Sequence, residues 1–104
     1  MVDKYIVDGK VAVLYSPNYG AGWSTWNKGY EDFLMFDSEI VKFLLQRDFN
    51  SIERYVNNLY DGLYLCGLYD LEISYLPIGT VFRIDEYDGY ESIEIYDQKN
   101  YSVA

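Results

Sequence analysis

The chain has 104 residues, of which 50% are apolar and 19% aromatic, and it carries a formal net charge of -9. This composition predicts one compact domain over residues 1–104, and the acidic charge disfavours direct binding to nucleic acid. There is no histidine and only one cysteine, Cys66, which removes the commonest general base and metal ligand, an intrachain disulfide and a thiolate zinc site.

These absences point away from catalysis. We expect no enzymatic activity, no cofactor and no metal site, because carboxylates and tyrosines alone would have to supply the chemistry. Cys66 lies among apolar residues and is expected to be a small buried side chain. No segment resembles a signal peptide or a membrane span, so we expect a cytoplasmic protein that does not bind membranes.

The first 15 residues predict a β-hairpin. Asp8-Gly9 separates the apolar runs at residues 4–7 and 10–15, and Asp-Gly is a strong signal for a two-residue turn because both positions need positive φ. Pro17 follows the second run and cannot donate a hydrogen bond to a strand ladder. The hairpin should therefore end before the glycine-rich segment.

Two helices are predicted in the middle of the chain. The first has Asp37 as its N-cap and an apolar face that ends near Arg47; that face is formed by Ile40, Val41, Phe43, Leu44 and Leu45. The second begins with a capping box of Asn50 and Glu53 and closes at Gly62. Its apolar residues recur with helical period at Ile52, Tyr55, Val56, Leu59 and Tyr60.

Three strands are predicted after the helices, at residues 71–76, 80–87 and 90–97. The last two flank Asp88-Gly89, and a two-residue turn there sets their register. In that register the opposed pairs are Ile84 and Ile93, Phe82 and Ile95, Arg83 and Glu94, and Glu86 and Glu91. The order is ββ-loop-αα-βββ, which predicts an α+β fold with two helices packed on one face of a mainly antiparallel sheet.

The loop SPNYGAGWSTWN, residues 16–27, has two interpretations. It lacks the third glycine of a dinucleotide fingerprint and the Gly-Lys-Ser/Thr of a P-loop. In one interpretation the tryptophans fill the core and the glycines adopt special backbone angles. In the other the loop binds a small ligand through aromatic, hydroxyl and amide groups. The candidate ligand-binding residues are Ser16, Tyr19, Gly20, Gly22, Trp23, Ser24, Thr25, Trp26 and Asn27.

Three segments carry a resemblance: the loop itself, residues 67–73 (GLYDLEI), and residues 79–92 (GTVFRIDEYDGYES). Together they resemble a family of small bacteriophage and prophage proteins that share a GAGWSTWN-like loop and have no established function. The resemblance spans most of the chain. It implies a phage gene product that acts in the host cytoplasm, and such small acidic proteins often antagonise host defence.

The final hairpin concentrates negative charge, with six acids and no base between Asp85 and Asp97. One interpretation is a solvated edge that resists aggregation. The other is a docking surface in which carboxylates steer a basic partner and tyrosines supply rigid contact area. The spacing matches no EF-hand loop. The candidate partner-binding residues are Asp85, Glu86, Tyr87, Asp88, Tyr90, Glu91, Glu94 and Tyr96.

The leading hypothesis is a non-enzymatic, phage-type inhibitor of a host defence component. We expect it to dock through the acidic hairpin on a basic host protein, whose nucleic-acid-binding surface it could cover. The alternative is a module that binds or sequesters a nucleotide-like signal with the loop at residues 16–27. A homodimer is compatible with the sequence but is not required by it.

Overall fold

The computed structural model describes residues 2–95 and 102–104. Its strands are β1 (Ile6–Val7), β2 (Lys10–Tyr15), β3 (Glu72–Pro77), β4 (Val81–Tyr87), β5 (Tyr90–Ile95) and β6 (Ser102–Val103). Its helices are α1 (Glu31–Phe36), α2 (Ser38–Leu45) and α3 (Phe49–Leu59), with short 3₁₀ turns at Ser24–Trp26 and Leu68–Asp70. The predicted α+β class is confirmed.

The described strands form two antiparallel sheets instead of one. Their orders are β1-β2-β3 and β5-β4-β6. Both Asp-Gly hairpins are confirmed, and all four turn residues have positive φ, with Asp8 at 53° and Asp88 at 52°. The predicted register of the second hairpin is also confirmed, including the direct opposition of Glu86 and Glu91.

The first helical region contains two helices because the chain bends at Asp37. This residue ends α1 and caps α2, where its side chain accepts a hydrogen bond from the backbone nitrogen of Ile40 at 3.2 Å. The predicted N-cap is therefore confirmed, whereas α1 was not predicted. The α1 sequence lacks an amphipathic pattern because four consecutive residues are buried, namely Phe33, Leu34, Met35 and Phe36.

The predicted start of the last helix, α3, is wrong. Asp48 is its N-cap instead of Asn50, and its carboxylate accepts hydrogen bonds from the Ser51 backbone nitrogen at 3.2 Å and the Ser51 hydroxyl at 2.7 Å. Asp48 satisfies one free N–H group of the first turn, that of Ser51, and so plays the capping role that was predicted for Asn50. The last turn contributes less to the core than predicted, since Leu59 is 52% exposed.

The β2 strand lies between two hydrophobic clusters. Ala12 and Leu14 pack into one cluster with the three helices and Trp23, and Val11 and Val13 pack into the other with Phe82. Successive side chains of a strand point to opposite faces, so both faces of β2 are buried. This is why its sequence is a continuous apolar run without alternation.

Cys66 is exposed, so the expectation of a buried thiol is wrong. The buried residues of this segment are Gly67 and Leu68, and the Gly67 backbone packs against the loop at Ala21 and Ser16, where a side chain would not fit. The thiol instead forms a hydrogen bond with Tyr64, which raises the pKa of that phenol. Among the described residues, no helix is long and apolar enough to cross a membrane.

The N-cap of α3 generates a pH-dependent prediction. Hydrogen bonds from Ser51 lower the pKa of Asp48 below 3.8, so its charge stabilises the fold above that pH, and this contribution is lost as the pH falls through the lower, folded-state pKa. We expect Asp48→Asn, which keeps a capping oxygen but not the charge, to lower the melting temperature near neutral pH.

The measurement is a series of thermal unfolding curves for both proteins by circular dichroism. The difference in melting temperature should stay constant from about pH 7 to about pH 5 and should narrow below about pH 4. A difference that does not change between about pH 5 and about pH 2 would show that the charge of Asp48 contributes nothing.

Candidate functional site

A buried carboxylate joins the loop at residues 16–27 to the second hairpin. Glu91 is 0% exposed. One oxygen, Oε1, accepts a hydrogen bond from the Ser16 backbone nitrogen at 2.9 Å, and Oε2 accepts from the Trp23 backbone nitrogen at 2.8 Å. Oε2 also accepts from the backbone nitrogen of Thr25 at 3.1 Å and from its hydroxyl at 2.6 Å. Glu91 is therefore an internal anchor, and its carboxylate is not presented to a partner.

Backbone contacts hold the same two segments together. The Gly20 nitrogen donates to the Asp88 carbonyl at 2.7 Å, and the Glu91 nitrogen donates to the Ser16 carbonyl at 3.0 Å. Gly89 has φ of +86°, and a Cβ there would lie 2.7 Å from the backbone nitrogens of Gly20 and Ala21. Glycine is thus required both for the turn and for the close approach of the loop. The loop and the hairpin turn form one packed unit.

The tryptophans and the amide of the loop make internal contacts. Trp23 is fully buried, and its indole N–H donates to the Leu34 carbonyl at 2.7 Å. Asn27 donates to the carbonyls of Trp23 and Tyr64, both at 2.8 Å, and accepts from the Tyr64 nitrogen at 2.7 Å. The half-buried Trp26 packs on Tyr64 with ring centroids 5.2 Å apart. These contacts support the interpretation in which the loop completes the core.

The remaining candidate ligand-binding residues divide between the interior and the surface. Ser16, Gly22 and Ser24 are buried, whereas Tyr19 and Gly20 are exposed. The Ser16 hydroxyl has no hydrogen-bond partner among the described residues. The Thr25 hydroxyl is already bonded to Glu91. Most of the polar groups in this set therefore point inward.

Three tyrosines from the two predicted sites meet on the surface. We call Tyr19, Tyr87 and Tyr90 the tyrosine cluster; they are 63%, 77% and 39% exposed, respectively. The ring centroids of Tyr19 and Tyr87 are 6.5 Å apart with an interplanar angle of 82°. Those of Tyr19 and Tyr90 are 5.1 Å apart at 47°. Tyr19 comes from the loop and the others from the hairpin, so tertiary packing alone creates this surface.

Carboxylates lie near the tyrosine cluster along the second hairpin: Asp85 shares the face of Tyr87 and Tyr90, whereas Glu86 lies on the opposite face with Glu91. Glu86 and Asp88 are exposed at the hairpin turn, and a Glu86 oxygen accepts a hydrogen bond from the Gly89 nitrogen at 2.8 Å. Asp85 is about half exposed and lies 3.6 Å from the Arg83 guanidinium. Glu94 lies opposite Arg83 across the hairpin. The predicted docking residue Tyr96 lies outside the described residues.

A further tyrosine connects the cluster to the neighbouring sheet. Tyr15 ends β2, and partial burial raises its pKa, followed in effect by the nearby Glu72 carboxylate and Tyr90. Glu72 lies opposite Tyr15 across β2 and β3, and its charge disfavours the phenolate. Glu72 is therefore an acid of the neighbouring sheet beside Tyr15.

An open groove with a volume of about 560 Å³ lies beside this surface. Sequence reasoning did not identify it, because its walls come from three separate segments, residues 17–18, 44–47 and 69–75. The Asn18 amide at its rim donates to the Asp70 carboxylate at 3.1 Å. The groove is lined by Pro17, Asn18, Leu44, Leu45, Arg47, Tyr69, Asp70, Leu71, Glu72, Ile73 and Tyr75.

Comparisons with known proteins give no match: no family model, no curated protein and no solved structure matches this chain. Within residues 2–95 and 102–104, no cluster of three or more cysteine, aspartate or glutamate side chains is placed to hold a metal ion.

The anchoring role of Glu91 leads to a stability prediction. In Glu91→Gln the carboxamide oxygen can replace Oε2, but the NH₂ group then points at the N–H of Ser16, so two donors face each other. We expect a loss of about 2–4 kcal/mol in the free energy of unfolding, from weakened charge-assisted bonds and an unpaired buried donor. Urea denaturation measures this loss.

The matched control is Glu86→Gln, at the exposed position directly opposite Glu91. A glutamine oxygen there can still accept from Gly89, so the cost should stay below about 1 kcal/mol. Equal losses for the two variants would contradict the role assigned to Glu91.

Proposed function

We propose that this protein is a non-enzymatic inhibitor that binds a basic surface of a host protein through the tyrosine cluster and the carboxylates around it. The observation that carries the proposal is the exposed grouping of three tyrosine rings at a hairpin turn that also carries the exposed acids Glu86 and Asp88. Tyrosine supplies a large contact area with few rotatable bonds, and surrounding acids favour a positively charged partner.

The tyrosine cluster is held in place by hydrogen bonds, which strengthens this proposal. The loop that carries Tyr19 is hydrogen-bonded to the turn between Tyr87 and Tyr90, and both are attached to the interior through Glu91. A surface that is already ordered loses less conformational entropy on binding. The buried anchor therefore contributes to affinity indirectly, by keeping the tyrosines in place.

Charge supports the choice of a basic partner. The whole chain has a net charge of -9, and such a field accelerates encounters with a basic protein while repelling nucleic acid. A partner that normally binds DNA or RNA would present a suitable surface, and the inhibitor would cover it.

The biological setting belongs to the proposal as well. The resemblance to small phage and prophage proteins supports action in the bacterial host cytoplasm, with a host defence component as the target. The tyrosine cluster suits a heterologous partner better than a second copy of this chain, because two copies would bring their carboxylates together.

The test compares a double variant, Glu86→Gln with Asp88→Asn, against the unaltered protein in capture experiments from bacterial lysate. Asparagine tolerates the positive φ of position 88, so the turn is retained. We expect the double variant to bind the captured basic protein roughly three- to tenfold more weakly at low salt, because the negative charges of Glu86 and Asp88 are lost.

The matched control is Glu53→Gln with Asp61→Asn, which changes the net charge equally at exposed positions on and after α3. It should retain nearly full binding. If both double variants lose affinity equally, general acidity and not the hairpin attracts the partner. If the hairpin variant keeps full affinity, the proposed surface is wrong.

The second candidate function is binding of a nucleotide-like signal, and the groove favours it. Its volume of about 560 Å³ suits a small molecule. Arg47 offers a guanidinium for a phosphate, and Tyr69, which is 65% exposed, offers a ring face for a base. This candidate shifts ligand binding from the loop at residues 16–27 to the neighbouring groove.

Thermal unfolding with a panel of nucleotides tests this candidate. We expect one compound to raise the melting temperature, and Arg47→Gln to abolish the rise while the control Arg54→Gln on α3 preserves it. If no compound stabilises the protein, or if Arg47→Gln responds fully, the groove is not a nucleotide site.

A further inference from the structure

We propose that the tyrosine cluster is a receptor for an arginine side chain of the partner. This inference rests on the proposed docking function and specifies the chemical group that the surface recognises. It goes beyond charge attraction, because the rings and the carboxylates together favour a flat cation over a compact one.

The arrangement of the rings supports binding of a flat cation. Tyr19 and Tyr87 are nearly perpendicular, at 82°, so their ring faces point in different directions and each offers a separate surface on which a planar group can stack. The negative face of an aromatic ring attracts a cation within about 6 Å of its centroid. Tyr87 and Tyr19 are 77% and 63% exposed, which leaves much of their ring surface open to a partner.

The neighbouring carboxylates add the second element of recognition. Asp88 is exposed in the turn between Tyr87 and Tyr90. Asp85 is about half exposed and lies on the same face of the hairpin as these two rings, because it precedes Tyr87 by two residues. A guanidinium can stack on a ring and donate several N–H groups in its plane to a carboxylate at the same time. A lysine ammonium is more strongly hydrated and lacks this planar fork. The combination of ring faces and adjacent acids therefore favours arginine.

The turn geometry places these groups together. Tyr87 and Tyr90 are paired across β4 and β5, so their side chains lie on the same face of the hairpin. Tyr19 is held beside them by the hydrogen bond from Gly20 to the Asp88 carbonyl. A substitution in the cluster can thus be made at an exposed ring while the anchoring contacts remain intact.

The experiment measures the binding of hexa-arginine and hexa-lysine peptides to the full chain by isothermal titration calorimetry at low and high salt. We expect hexa-arginine to bind about three- to tenfold more tightly than hexa-lysine. High salt should weaken both peptides through screening, and the preference for arginine should persist.

Three variants identify the source of this preference. Tyr87→Leu removes the ring and should reduce hexa-arginine affinity about two- to fivefold with little effect on hexa-lysine. Tyr87→Phe keeps the ring and should retain the preference. Tyr69→Leu, at a similarly exposed tyrosine in the groove, is the matched control and should behave like the unaltered protein.

The outcomes separate this inference from the proposed function. Equal affinities for the two peptides, or an arginine preference that survives in Tyr87→Leu, would overturn the arginine receptor. The docking function would still stand if the lysate partner depended on Glu86 and Asp88. If the double variant at Glu86 and Asp88 captures the partner as well as the unaltered protein does, the docking function is wrong and this inference is wrong with it.

Discussion

The hydrogen bonds to the buried carboxylate of Glu91 hold the loop at residues 16–27 against the second hairpin, and the tyrosine cluster depends on them. Moving a charge into a protein interior costs several kcal/mol unless hydrogen bonds replace its hydration. Here the compensation comes from backbone and hydroxyl donors of Ser16, Trp23 and Thr25. Because these donors lie at three points of one irregular loop, a single side chain determines the path of that loop over the hairpin.

This anchor also explains how two glutamates can face each other. Glu86 and Glu91 are directly opposed across β4 and β5, an arrangement that is unfavourable when both charges are unshielded. In this fold Glu91 is surrounded by donors, and Glu86 is exposed to solvent and accepts from Gly89. The Glu91 carboxylate orders the loop, and the Glu86 carboxylate remains at the surface near the hairpin turn.

Local chemistry made much of the fold predictable. The Asp-Gly turns and the register of the second hairpin follow from backbone preferences that act within a few residues. Asp37 was identifiable as a cap for the same reason. The sequence did not reveal α1, whose buried residues lack a helical period, or the start of α3, where Asp48 and Asn50 are both good caps. It also did not show that the strands divide between two sheets.

The sequence by itself determined the α+β class, the two hairpins, the acidic charge and the list of residues from which a site could be built. Only the tertiary structure decided which of those residues face inward. Glu91 and Trp23 are buried, whereas Tyr19 joins Tyr87 and Tyr90 at the surface. The physical reason is range: turns and caps depend on neighbours along the chain, but the environment of Glu91 depends on donors 66 to 75 residues away.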